Sequence, residues 1–183
     1  IPDGWNILNL KRILKIPLTD GPHTTPVFLD DGIPFISAAA IHDNQIDFSK
    51  QQFISEEDHF EFSKKAQPRH NDLLMVKAGN TTGRIALVTV DFDFSIWSPL
   101  ALIRINKNNI PDYFYLMMQS IFFQNQISVT VNWNTQPNIG MKDIRDLKLI
   151  VPPKNIQKQI VSYLNKKTVK IDLLISKVEL QIS

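Results

Sequence analysis

An α+β fold is predicted: a mixed β-sheet globular domain over residues 1–151, then a long C-terminal α-helix over 152–183. Two observations predict it. From Lys154 to the end there is no Pro or Gly, and Val161, Leu164, Thr168, Ile171, Ile175, Val178 and Ile182 recur at steps of four and three. That is a heptad seam, β-branched at most of its first positions. Upstream, short strand-like runs dominate and only two or three helical segments interrupt them. That order suggests a mixed sheet rather than repeated βαβ units.

Pro152-Pro153 marks the start of the helix, since a proline is tolerated where the first donors have no partner. A helix of this length reaches on the order of 45 Å, too far to be hidden inside a small domain. Lys158, Lys166, Lys167, Lys170, Asp172 and Glu179 fall largely off the seam. The segment therefore reads as a coiled-coil or spacer helix that wants a companion. Packing against its own domain is the plainer reading.

In the domain, Gly4 to Leu10 reads as a turn entering an extended segment, with Trp5, Ile7 and Leu10 as core candidates. Thr19-Asp20-Gly21-Pro22-His23-Thr24-Thr25-Pro26 is a loop rich in turn formers. Gly32 to Ile36 is a turn and a short strand. Ile41 to Phe48 alternates around a polar turn, Asp43-Asn44-Gln45. Ser55 with Asp58 resembles a capping box, opening a helix to about Lys65. Asp72–Val76 and Arg84–Val90 form a hairpin about the Gly79–Gly83 turn. Leu100–Ile105 is a further strand. Pro111 opens a helix carrying Tyr113, Phe114, Leu116, Met117, Ser120, Ile121 and Gln124 near one face. Val129–Asn138 is read as a strand end running into a strongly polar loop. Met141–Asp146 is a short helix and Leu147–Val151 the last strand.

The 183 residues carry 20 Lys and Arg against 18 Asp and Glu, so the charge is only mildly positive. A nucleic-acid partner would then need its cations concentrated on one face. There is no cysteine, which excludes disulfides and thiolate-bound zinc. No apolar run reaches bilayer length. Ile1 to Trp5 shows no basic and apolar leader, and the expected location is cytoplasmic.

Several motifs could carry chemistry. Gly79-Asn80-Thr81-Thr82-Gly83-Arg84 lacks the Gly-Lys-Ser/Thr ending of a phosphate-binding P-loop, and a hairpin turn is its default. Lys77 and Arg84 flank that turn, which suits contact with phosphates. Asn132, Trp133, Asn134, Thr135 and Gln136 gather base-reading side chains in one loop, and His23, Thr24 and Thr25 in another. Carboxamides suit adenine and cations suit guanine. The bland alternative is ordinary surface-loop polarity. His23, His42, His59 and His70 lack metal-ligand spacing. Asp112, Asp146 and Lys148 loosely match a magnesium-dependent nuclease pattern, although Asp112 also complements a helix dipole. A protein-assembly module that binds no DNA is a third possibility.

Pro2-Asp3-Gly4-Trp5, Asp20-Gly21-Pro22-His23, Gly32-Ile33-Pro34-Phe35-Ile36, Asp72-Leu73-Leu74, the Gly79–Gly83 turn, and Leu149-Ile150-Val151-Pro152-Pro153 with Gln157 and Ile160 occur in this order. Together they resemble specificity subunits of type I DNA restriction-modification systems. The departures are Asn71 for a usual Gly, Ile156 for a frequent Glu and Lys154 for a Leu. The resemblance implies one target-recognition domain and one conserved spacer helix, half of a full subunit. It implies a non-catalytic reader of one half of a bipartite duplex target, whose helix pairs antiparallel with a second helix. Thr19, His23, Thr24, Thr25, Lys77, Asn80, Thr81, Thr82, Arg84, Asn132, Trp133, Asn134, Thr135 and Gln136 are the expected DNA contacts. Methyltransferase subunits, and a restriction/translocase subunit, are the implied protein partners. No cofactor is expected in this chain; S-adenosylmethionine, ATP and magnesium belong to those partners. A homodimer, or pairing with a second half, would run through the helix seam.

Overall fold

The computed structural model describes residues 1–131 and 136–182. Its centre is an antiparallel sheet of β2 (Thr19–Asp20), β10 (Leu100–Ile103), β7 (Leu73–Val76) and β8 (Ile85–Leu87), in that spatial order. The two central strands are apolar throughout because both of their faces are buried. Leu73, Met75, Ala101 and Ile103 face one core, while Leu74, Val76, Leu100 and Leu102 face another. This period of two follows directly from the pleat.

Over the first core lie α2 (Pro111–Met118), α3 (Ile121–Thr130) and α4 (Met141–Asp146), which contribute Phe114, Met118, Phe123, Ile127 and Ile144. The second core is shared with a smaller sheet: β3 (Ile33–Ile36) lies between β6 (Gln52–Ile54), antiparallel, and β9 (Ser95–Ile96), parallel. Beside it, β4 (Ile41–His42) and β5 (Gln45–Ile46) form a hairpin. Its tip residues, Asp43 and Asn44, take φ of 46° and 59°, a left-handed pair that Asn and Asp tolerate. Helix α1 (Glu56–Ser63) is capped by Ser55, whose hydroxyl accepts from the Asp58 N–H at 3.0 Å.

Three sequence expectations need correction. The helix opened by Pro111 stops at Met118, and Ser120 caps a separate helix by accepting from Phe123 N–H at 3.4 Å. Residues 129 and 130 continue that second helix rather than forming a strand. The spacing of buried Phe123, Ile127 and Val131 outweighs the β preference of Val-Thr-Val. Ile7 is also 48% exposed, whereas Leu8 packs on the core, so the inward face of β1 (Asn6–Asn9) is the other one.

Strand β1 pairs antiparallel with β11 (Lys148–Val151), bringing the chain start beside the launch point of α5 (Lys154–Ile182). Gln157 locks that launch. Its carboxamide oxygen accepts from Ile110 N–H at 2.9 Å, and its nitrogen donates to Asn109 Oδ1 and Pro152 O, both at 2.9 Å. Gln157 is 1% exposed, so these three bonds replace solvent entirely. Ile160 and Val161 pack against the first core, and Ser162 to Glu179 are exposed. The helix is docked for two turns and then leaves the domain.

Candidate nucleic-acid interface

The loop after β2, the turn between β7 and β8 and the segment before α4 are far apart in sequence, and backbone bonds draw them onto one rim. Gly79 N–H donates to Pro137 O at 2.9 Å and Ile139 N–H to Lys77 O at 2.9 Å. Thr82 Oγ1 donates to Gly79 O at 2.7 Å and reaches Pro137 O at 3.4 Å. Ser98 N–H donates to Pro22 O at 3.1 Å, and Lys77 N–H to Pro99 O at 2.8 Å. Gly21 makes this crossing possible: a Cβ there would lie 1.9 Å from Ile96 O.

An ion-pair cluster ties the rim together. Asp20, with its side chain 8% exposed, takes Lys65 Nζ at 2.5 Å and Lys77 Nζ at 3.2 Å. Burial alone would raise its carboxyl pKa, but the hydrogen bonds and charges of Lys65 and Lys77 outweigh that and hold it below the ordinary value. Lys77, expected beside Arg84 as a free phosphate contact, is therefore drawn inward to Asp20 and is only 12% exposed. Thr19 is likewise occupied, its hydroxyl donating to Lys65 O at 3.1 Å.

The remaining expected contacts are differently placed. His23, Thr24, Thr25, Asn80, Arg84 and Gln136 are exposed, and Thr81 and Thr82 are half-buried. Arg84 is tethered by Nη1 donating to Ile41 O at 3.3 Å. Asn132, Trp133, Asn134 and Thr135 lie outside the described residues. A cavity of about 270 Å³ opens beside the turn, lined by Asn80, Thr81, Thr82, Gly83 and Arg84 together with Asn44, Gln119 and Gln124. No sequence signal marked those last three, because Asn44 sits in a hairpin turn and the glutamines at a helix junction.

Charge is segregated along the chain. Residues 27–61 hold eight carboxylates against one lysine, including Glu56, Glu57 and Asp58 in the first turn of α1. The excess of cations therefore lies in the rest of the chain, which supplies Arg84 and the three loops.

A family model for the type I restriction modification DNA specificity domain matches residues 2–181. The chain belongs to this family. It is 27% identical over 170 residues to a putative type I restriction enzyme MjaX specificity subunit of Methanocaldococcus jannaschii, covering 90% of this chain and 40% of that protein. The MjaIX specificity subunit of the same organism is 25% identical over 158 residues, 85% of this chain and 36% of that one. The chain thus spans about two fifths of these relatives. The HsdS subunit from Thermoanaerobacter tengcongensis shares the fold at TM-score 0.66 and 20% identity, over 95% of this chain and 40% of that one. The S subunit from M. genitalium matches at TM-score 0.62 and 14% identity, over 96% and 42%.

The motif residues of the specificity domain acquire structural reasons. Asp72 is clamped by Arg104 through Nε at 2.8 Å and Nη2 at 2.6 Å, and accepts from Arg69 N–H at 2.8 Å. Asn71, where the family usually has Gly, has φ of 69°, a left-handed conformation that Asn adopts at modest cost. The nuclease alternative finds no support. Asp146 is paired with Lys11 Nζ at 2.6 Å, which with a hydrogen bond from Asn9 keeps its carboxyl below the ordinary value. Asp146 and Lys148 line a pocket that does not include Asp112. Asp112 stands in the first turn of α2, complementing its dipole. Among the described residues no group of three acids or histidines could hold a metal, and no helix is long and apolar enough to cross a membrane.

Of the seam residues, Val161 is turned to its own domain. Leu164, Ile171, Ile175 and Val178 are 37%, 54%, 51% and 52% exposed. Thr168 is exposed as well, and the side chain of Ile182 lies outside the described residues.

Proposed function

We propose that this chain is the non-catalytic DNA-reading half of a type I specificity subunit, recognising one part of a bipartite duplex target. The observation that carries the reading is the convergence of three polar loops, remote in sequence, on one rim within a specificity-domain fold. Arg84 serves as a phosphate contact, while Lys77 and Asp20 hold the rim's shape. His23, Thr24, Thr25, Asn80, Thr81, Gln136 and the 132–135 segment supply base contacts. The exposed seam from Leu164 to Val178 mates with an equivalent helix, of a second copy or of a second half, and fixes the separation of two half-sites. Methyltransferase subunits, which carry the S-adenosylmethionine, dock on that assembly, and a restriction/translocase subunit joins it.

The direct test is selection of bound sequences from a random duplex pool by the full chain with its methyltransferase partner. A defined half-site is expected. Enrichment of no sequence, or equal binding of selected and random duplex across salt concentrations, would refute the reading.

A further inference from the structure

The cavity beside the turn is lined by four carboxamides, two hydroxyls and one guanidinium, with no carboxylate among them. Two of its members are held by a single tyrosine. Tyr115 Oη donates to Asn44 O at 3.0 Å, and Gln119 Nε2 donates to Tyr115 O at 2.9 Å. The β4–β5 hairpin tip and the end of α2 are thereby fixed relative to each other. Gln124 braces the floor, its Nε2 donating to Gly83 O at 3.0 Å and Met118 O at 2.7 Å. Its amide donors are spent on the backbone.

Gln119 differs. Its amide bonds the Tyr115 carbonyl at 2.9 Å and also the Tyr115 hydroxyl, so the whole side chain is held by that one residue. By exchanging these bonds on binding, the carboxamide can present the donor and the acceptor that the N7 and N6 edge of adenine requires. Asn44 carries the same pair of groups on a backbone fixed at φ of 59°. Arg84 and Asn80, at the cavity wall, join this recess to the rim already described.

We propose that Gln119 and Asn44 determine base specificity, reading an adenine beside the phosphate held by Arg84, with Tyr115 as their positioning residue. This rests on the proposed DNA-reading function and adds a fourth element to it.

The test compares sequences selected by the parent chain and by Gln119→Ala, Asn44→Gly and Tyr115→Phe, each with the methyltransferase partner. Glycine preserves the left-handed backbone at position 44. The parent should select adenine at one or two positions that Gln119→Ala and Asn44→Gly no longer discriminate, a loss of roughly 5- to 150-fold. Affinity for random duplex should fall by much less than affinity for the selected sequence, because base contacts specify and phosphate contacts position. Tyr115→Phe should relax the same positions by a smaller factor. Gln119→Met, nearly isosteric, gives the same readout should the alanine variant fail to fold. A parent motif that persists unaltered in the Gln119 and Asn44 variants overturns this assignment and leaves the DNA-reading function standing. A parent that selects no motif overturns both.

Discussion

Replacing Lys77 and Arg84 in turn by methionine separates the two roles that cations have at the rim. Lys77 donates to a carboxylate that is 8% exposed, and its own side chain is 12% exposed. A hydrogen bond to a charged group is worth about 1.5–3 kcal/mol. Lys65 at 2.5 Å keeps Asp20 partnered, so the loss should sit near the lower end, about 1–2 kcal/mol. For a chain of this size that is a fall in Tm of about 2–8 °C. The sign of the pH dependence follows from Asp20. Its folded pKa is depressed, so its contribution is present above the unfolded value and is lost as pH falls through the folded one. Lys77→Met should therefore make acid destabilisation below about pH 4 shallower as well as lowering the plateau at neutral pH. Arg84 is exposed and, among the described residues, its guanidinium is tethered to Ile41 O, so Arg84→Met should move Tm by less than about 0.5 kcal/mol's worth. It should lower the slope of log affinity against log salt by about 0.9. Thermal melts across pH and salt-titrated anisotropy on duplex DNA read both effects. The reasoning fails if Lys77→Met reduces the salt slope and leaves Tm alone.

Other substitutions probe the frame. Gln157→Leu removes three buried hydrogen bonds and leaves the Ile110 N–H unpaired, so denaturant unfolding should show a loss of about 2–4 kcal/mol. Gly21→Ala forces a Cβ into Ile96 O and should cost about 3 kcal/mol or more in the same assay; a neutral result would mean the crossing is looser than described. Arg104→Met strands a carboxylate that is 2% exposed, and a loss of about 3–5 kcal/mol is expected. Ile171→Asp with Ile175→Asp should abolish self-association in sedimentation equilibrium and leave the domain's melt unchanged, because both residues lie beyond the docked part of α5.

Much of this architecture was legible beforehand where one period ran uninterrupted. The apolar runs of β7 and β10, the Ser55 cap and the Pro-bounded terminal helix all appeared at or near their predicted positions, because local propensity and burial agree there. The errors arose where they disagree. Val129 and Thr130 are β-branched but are held helical by the burial of Ile127 and Phe123 one and two turns earlier. At the proposed rim, residue type alone could not tell a free cation from a paired one. Lys77 and Arg84 look alike in sequence, and only the approach of Asp20, 57 positions from Lys77, distinguishes them. Asn44 and Gln119 escaped notice for a similar reason, since Tyr115, on the same helix end as Gln119, reaches Asn44 across 71 positions.

The most direct test of a duplex reader carried on a mating helix is binding to duplexes bearing two inverted copies of the selected half-site at graded separations. One sharply preferred spacing is expected, lost when Ile171 and Ile175 carry charge. Affinity indifferent to spacing, in a chain that still selects its half-site, would contradict it.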